Sequence, residues 1–239
     1  MELIVTYDGH ALNDYAVVEE VDRPLAGSYD LNYATVTGMD GRMYLSGRRD
    51  SYSIALTLAF IGHDYAEVLA KIRTVAGWLS TDEPKKLVIG DEDGLWRMVV
   101  PSGEMRIERV GHTAARVELA FEAPDAMLHG EGGVMQSSDG TAVVRIDGTL
   151  PAPVVIASSA VSGDFEVMEM DLGAFVRVEV GSTAKSVEID CGQRTCTVGG
   201  STAMVTLASD WLVLDPGWHT LTRVDGSGEF TVSYESRWA

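Results

Sequence analysis

Hydrophobic positions along this chain follow two periods, and only one stretch keeps the period of a helix. Tyr65, Val68, Leu69, Ile72, Val75, Ala76 and Leu79 recur at i, i+3, i+4 and i+7, which sets them on one apolar stripe. The pattern predicts an α-helix near 64–79. Asp64 with Glu67 resembles a capping box, with Asp in place of the usual Ser or Thr. Glu67 stands four residues before Lys71, the favourable order for an exposed ion pair. Ser80-Thr81-Asp82-Glu83-Pro84 then stops the helix. A helix with a single apolar face must lie against something flat, and here that can only be a sheet.

Elsewhere the period is two. Tyr52, Ile54, Leu56, Leu58 and Phe60 alternate with Ser51, Ser53, Ala55, Thr57 and Ala59. Val117, Leu119 and Phe121 alternate with Arg116, Glu118 and Ala120, and Val176, Val178 and Val180 with Arg177 and Glu179. Such runs predict half-buried antiparallel strands. Six Asp-Gly pairs punctuate them: Asp8-Gly9, Asp40-Gly41, Asp93-Gly94, Asp139-Gly140, Asp147-Gly148 and Asp225-Gly226. Both residues tolerate positive φ, so each pair predicts a hairpin. Proline, glycines and acids cluster from Glu122 to Gly133 after a strong strand, the signature of a boundary. The expected division is therefore 1–128 and 129–239. The fold class read from these patterns is mainly β: a β-rich domain with one inserted helix, then an all-β sandwich with none.

At 239 residues the chain could form one large β domain or two of ordinary size. It has no run of eighteen apolar residues, so no transmembrane helix and no membrane insertion are expected. Met1-Glu2-Leu3-Ile4-Val5-Thr6-Tyr7 lacks a basic region and an apolar core, so it reads as a strand and not a signal peptide. The formal charge is −18, from 36 acids and 18 bases. Residues 1–125 hold 21 acids and 12 bases, and the remainder 15 and 6, giving −9 in each part. Neither part has a basic patch, so stable nucleic-acid binding is not expected, because phosphate contacts need clustered Lys and Arg.

Candidate chemistry is sparse. His10, His63, His112, His129 and His219 are scattered without a metal-gripping spacing, and each reads as a surface or loop histidine. Gly226-Ser227-Gly228 lacks the spacing of a nucleophile elbow. Gly130-Glu131-Gly132-Gly133 has no following Lys-Ser/Thr and reads as a linker, not a phosphate loop. Asp91-Glu92-Asp93-Gly94 has Leu95 where a calcium loop needs an oxygen ligand, so a hairpin turn is the better account. Cys191 and Cys196 bracket a four-residue hairpin loop and read as reduced, partly buried thiols. Trp211, Trp218 and Trp238 pose a sugar-stacking question, with core or interface anchoring as the ordinary role of such rings. Trp211 lies in Ser209-Asp210-Trp211-Leu212-Val213-Leu214, a run too apolar for an open groove. No catalytic, cofactor-binding or metal-binding residue is assigned, and no enzyme activity is expected.

Taken in order, several motifs resemble the distal tail protein family of long, flexible-tailed bacteriophages. They begin with Val17-Val18-Glu19-Glu20-Val21-Asp22-Arg23-Pro24-Leu25 and Val36-Thr37-Gly38-Met39-Asp40-Gly41-Arg42. The alternating strand 51–60, the helix ending Ala76-Gly77-Trp78-Leu79, and Pro84-Lys85-Lys86-Leu87-Val88-Ile89 follow. Phe121-Glu122-Ala123-Pro124-Asp125 is similar to the motif closing that family's first domain. Later come Gly148-Thr149-Leu150-Pro151-Ala152-Pro153-Val154-Val155-Ile156, Val187-Glu188-Ile189-Asp190-Cys191 and the late turn Asp215-Pro216-Gly217-Trp218-His219. Their shared order over almost the whole chain is more specific than any one of them.

The resemblance implies that the first domain builds a hexameric ring at the tail tip and that the second is a galectin-like β-sandwich projecting outward. It implies a homo-hexamer between the tail tube protein and the tail-tip hub proteins, located in the virion tail tip after assembly in the host bacterial cytoplasm. A ring closes by heterologous contacts, for which long edge strands of the first domain are the expected source. DNA sliding through an acidic lumen would gain nothing from counterion release. The chain has no room for the extra carbohydrate-binding domain that some relatives insert, which favours a scaffold over an adhesin. The alternative is a carbohydrate-binding tail component using Trp211, Trp218 or loops of the second sandwich. A cell-wall hydrolase lacks the paired carboxylates or metal ligands it would need.

Overall fold

A computed structural model describes residues 3–25 and 27–239. Met1 and Glu2, expected to open the first strand, lie outside the described residues. The chain divides into two compact units, residues 1–129 with Ala239, and residues 130–238. The mainly β expectation holds, with a single α-helix among the described residues.

In the first unit the strands are β1 (Val5–Tyr7), β2 (His10–Ala11), β3 (Val17–Asp22), β4 (Tyr29–Ala34), β5 (Met43–Arg49) and β6 (Tyr52–Ile61). After the helix α1 (Tyr65–Trp78) come β7 (Lys85–Ile89), β8 (Leu95–Ser102), β9 (Ile107–Arg109) and β10 (Ala114–Ala123). The main path runs β2-β1-β7-β8-β10-β6-β3, with β9 added on β10. Its centre is the pair β6–β10, antiparallel in unbroken register from Tyr52↔Ala123 to Ile61↔Ala114. That register puts Ile54, Leu56, Leu58 and Phe60 on the same buried face as Val117, Leu119 and Phe121. Arg116, Glu118 and Glu122 point away from it into solvent.

The helix packs on β6 and β10 through Val68, Ile72 and Val75, all buried. Tyr65, Leu69 and Leu79 are half-buried on the flanks of the predicted stripe, and Ala76 is exposed. Asp64 is the N-cap, and its carboxylate accepts the Glu67 N–H at 2.8 Å. Glu67 reaches one residue further back than a capping box requires, accepting the His63 N–H at 2.8 Å. Its carboxylate also pairs with Lys71 Nζ at 3.0 Å, the expected i,i+4 bridge. Strands β4 and β5 stand apart as a two-stranded sheet of their own, an element the periodicity did not predict.

Strand β11 (Leu128–Gly130) spans the division. The second unit then contains β12 (Val134–Gln136), β13 (Thr141–Ile146), β14 (Ala152–Glu169), β15 (Phe175–Asp190), β16 (Thr195–Val198) and β17 (Ser201–Ala203). It ends with β18 (Val213–Leu214), β19 (Gly217–Asp225), β20 (Thr231–Tyr234) and β21 (Ser236–Trp238), and it has no helix. Strands β14 and β15 pair along most of their length, with register shifts between Ser158 and Asp164. Before the shifts β14 pairs with β20; after them it pairs with β19. Val154 and Ile156 from one half share a core with Phe165 and Val167 from the other. The bulged pair thus folds over and supplies both layers of a sandwich.

The Asp-Gly expectation holds unevenly. Asp8-Gly9 and Asp139-Gly140 are two-residue turns with both φ angles positive, and Asp93-Gly94 turns β7 into its partner β8. Asp40-Gly41 lies in the longer connection between the paired strands β4 and β5. Asp147-Gly148 and Asp225-Gly226 are not hairpins, because the strands on either side of each do not pair with one another. Glycine is needed there for close approach: a Cβ on Gly226 would sit 2.2 Å from the Asp164 carbonyl oxygen, and one on Gly148 2.3 Å from that of Arg237.

These contacts order two substitutions. Asp64→Ala removes the helix cap and should cost about 1 kcal/mol. Gly226→Ala forces a backbone shift and should cost clearly more. Urea unfolding of the two variants checks the ranking, and a neutral Gly226→Ala would contradict the crowding.

Candidate interaction surfaces

The described residues contain no group of His, Cys, Asp and Glu able to hold a metal ion. The five histidines lie apart, and two depart from the surface reading. His129 is buried, with Nε2 2.5 Å from Asp125 and its ring stacked on Trp96. His219 Nδ1 lies 3.2 Å from the wholly buried Glu169, and its Nε2 2.8 Å from the Asp215 carbonyl oxygen. Each stands next to an acid brought from elsewhere in the fold or the preceding turn, so both are structural polar contacts inside their units. His10 stacks on Trp78 at 4.5 Å.

Asp91 and Glu92 are consumed by arginines. Arg23 holds Asp91 through both guanidinium nitrogens at 3.0 and 2.7 Å, which draws that carboxyl below its ordinary range. Arg97, only 3% exposed, is anchored by Glu92 and donates from Nε to the Tyr52 hydroxyl at 3.0 Å. The turn therefore ties β7–β8 to β3 and β6 and leaves no ligand set for calcium. Gly132 and Gly133 pack against Tyr234, where a Cβ on Gly132 would meet the carbonyl oxygen at 1.5 Å. That glycine run serves close backbone approach, not phosphate. Ser227 Oγ lies 2.9 Å from Ser162 Oγ, without a base beside it.

Cys191 and Cys196 are both free and buried. Cys196 pairs across the ladder with Ile189, not with Cys191, which sits in the loop after β15. Burial pushes the Cys191 thiol up to about 11.

Three surfaces remain open. The β4–β5 ribbon exposes Tyr29, Leu31, Tyr33, Met43, Tyr44 and Leu45, with Tyr33 and Tyr44 edge-to-face at 6.1 Å. Arg48 and Arg49 lie beside these side chains, Arg48 Nε 3.2 Å from Asp30. The second surface is an open hollow of about 540 Å³ on the sheet face opposite the helix. Glu19, Glu20, Glu104, Glu108 and Glu118 line it, against Arg106 and Arg116. Arg116 Nε pairs with Glu19 at 2.7 Å, a contact between strands remote in sequence.

The third surface lies in the second unit. Trp211 lines an open hollow of about 650 Å³ with Pro153, Val155, Gln193, Arg194 and Val213. The apolar run around it did not suggest this: Leu212 and Leu214 are buried, whereas Trp211 is partly buried, packing against the same core while also lining the hollow. Trp218 is 67% exposed on the outer face of β19, with the Arg145 guanidinium 5.9 Å from its ring centre.

Two family models match in tandem. "Phage tail protein RIFT-related domain" covers residues 11–123, and "Siphovirus-type tail component, C-terminal domain" covers 147–238. Both describe components of siphovirus tails. The chain belongs to the distal tail protein family of siphophages. It is similar to the distal tail protein of Bacillus phage SPP1, at 24% identity over 233 residues, 90% of this chain and 88% of that protein. The crystal structure of the SPP1 Dit protein, called a paradigm of the hub adsorption apparatus in phages infecting Gram-positive hosts, has the same fold. It matches with a TM-score of 0.85 and 17% identity, covering 99% of each chain. A chain of the phage P2 baseplate in its activated conformation with calcium matches at a TM-score of 0.57 and 8% identity, over 99% and 98% of the two chains. These relatives are structural tail and baseplate proteins.

Burial and the raised thiol of Cys191 predict slow chemistry. At pH 8 neither cysteine should react appreciably with a thiol reagent in the native protein, and both should react at once in denaturant. Absorbance at the released thiolate's wavelength follows this, and rapid native labelling would contradict the burial.

Proposed function

We propose that this chain is the structural distal tail protein of a long-tailed phage or phage-like particle. In this reading six copies close into a ring that joins the tail tube to the tail-tip hub and its adsorption apparatus. The role is mechanical, with no catalysis and no cofactor. Residues 1–128 form the ring-building domain and 129–239 the galectin-like domain. Assembly takes place in the host cytoplasm, and the finished protein resides in the virion tail tip.

The observation carrying the ring reading is the β4–β5 ribbon. A two-stranded sheet alone is marginal in water, yet this one displays large apolar side chains to solvent. Such a ribbon is stabilised by a partner, and a closed ring of identical chains supplies one to every copy. The edge strand β3 offers a second contact, since among the described residues it pairs with β6 alone.

Light scattering and negative-stain images of the protein, alone and co-expressed with the tail tube protein, should give six-copy rings with a central hole. Replacing Tyr33, Tyr44 and Leu45 together by Ser should abolish them while each unit keeps its fold by circular dichroism. Monomers in both preparations of the unaltered protein would refute the ring.

The acidic hollow suits the wall of a DNA passage. Its five glutamates against two arginines repel phosphate, so DNA would slide without sticking. Changing Glu20, Glu108 and Glu118 to Lys should create duplex binding that weakens steeply with salt, whereas the unaltered protein should bind none. Equal DNA binding by both proteins in gel-shift assays would rule out this assignment.

A further inference from the structure

The β4–β5 ribbon leaves its unit like an outrigger. Among the described residues its strands pair with each other alone, and neither makes an extensive contact with another element. An open hollow of about 580 Å³ adjoins its root, lined by Arg23, Ser28, Ser51, Tyr52 and part of β6. Packing against the main sheet therefore does not fix the ribbon's direction. The chain enters the ribbon after Arg23 and leaves it into Tyr52, and the β7–β8 hairpin grips both. On the incoming side, Asp91 accepts two hydrogen bonds from the Arg23 guanidinium at 3.0 and 2.7 Å, with Glu92 3.6 Å away. On the outgoing side, Arg97 Nε donates to the Tyr52 hydroxyl at 3.0 Å, and Glu92 accepts from Nη1 and Nη2 of the same guanidinium. Glu92 thus touches both arms. Between them the Asp50 N–H donates to the Ser28 carbonyl at 2.9 Å, and the Ser51 hydroxyl to Glu122 at 2.7 Å.

We infer that the network Arg23–Asp91–Glu92–Arg97–Tyr52 is a clamp that sets the direction in which the ribbon leaves its unit, and so presets the face it offers to a neighbouring copy. Its residues are positioning residues, and only the second half of the inference rests on the ring reading. A guanidinium bound to a carboxylate by two parallel hydrogen bonds is fixed in orientation as well as distance. The clamp has a permanent half and a releasable half. Arg97 is buried, so its charge cannot be left without Glu92, and that half stays shut. Arg23 and Asp91 are partly exposed, so water competes for their pair and the incoming arm can open. The Asp91 carboxyl is held below its ordinary range by Arg23, so the pair stays ionised at neutral pH. A ribbon pointed correctly before assembly spares the ring contact the ordering that a swinging one would require.

Pulsed electron paramagnetic resonance between spin labels on Ser46→Cys in β5 and Asp82→Cys after the helix reads the ribbon's direction. Both positions are exposed, and the native cysteines are buried and escape labelling. The measurement is made in the variant with Ser at 33, 44 and 45, so that the copies stay separate. The starting protein should give one narrow distance distribution. Arg23→Met and Asp91→Asn should each lose it while circular dichroism is unchanged, and Arg23→Lys should keep most of it. The double variant should be no broader than either single one, because both act through one contact. In the otherwise unaltered protein, Arg23→Met should need more protein to form the same fraction of rings, since fewer copies hold the competent direction. A broad distribution in the starting protein, or a narrow one surviving both Arg23→Met and Asp91→Asn, would overturn the clamp. So would broadening that comes only with loss of the fold. Rings forming at an unchanged concentration would overturn its part in assembly. The distances come from separate copies, so a failure of the ring reading leaves them decisive.

Discussion

The ladder between β6 and β10 governs the first unit. Its register runs without a bulge from Tyr52↔Ala123 to Ile61↔Ala114, so a slip by one residue would turn Leu56 and Leu119 outward and bring Thr57 and Glu118 into the core. The price of such a slip excludes it. Because one face is wholly apolar, a single helix suffices to cover it, and Val68, Ile72 and Val75 do so. Because the other face keeps alanines and threonine between charged neighbours, it stays open and acidic. Both the brace and the hollow follow from one alternation.

The second unit obeys a different constraint. Two long strands serve both layers, and the shifts between Ser158 and Asp164 let them turn from one to the other. Gly226 meets the chain at that corner, where its missing Cβ lets the backbone of Asp164 come close.

Local chemistry was legible in the sequence. The helix, its Asp64 cap and the Glu67–Lys71 bridge each depend on residues within one or two turns, and the alternation of 51–60 and 116–121 declares its buried face outright. What could not be read involved partners far along the chain. Arg116 finds Glu19, and His219 finds Glu169, through folding alone. Asp147-Gly148 and Asp225-Gly226 looked like hairpins because glycine at a turn and glycine at a close approach leave the same letters. The β4–β5 ribbon was hidden because its apolar residues face solvent, where periodicity carries no information about a core. The open surfaces share this limit: each is assembled from several strands, and no single segment contains its pattern.

Strand β20 sits between β12 and β14. Gln136 therefore waits for Thr231, and Ile156 for Val232. During synthesis the first unit's main ladder is complete once Ala123 has emerged, whereas the second lacks an inner strand until Tyr234 has left the ribosome. Non-local pairings of this kind fold slowly, and the half-made sandwich shows bare strand edges meanwhile. The newborn protein thus has an ordered half and an unfinished half for the whole of the second unit's translation, a window in which chaperones, not the ring, are its natural companions.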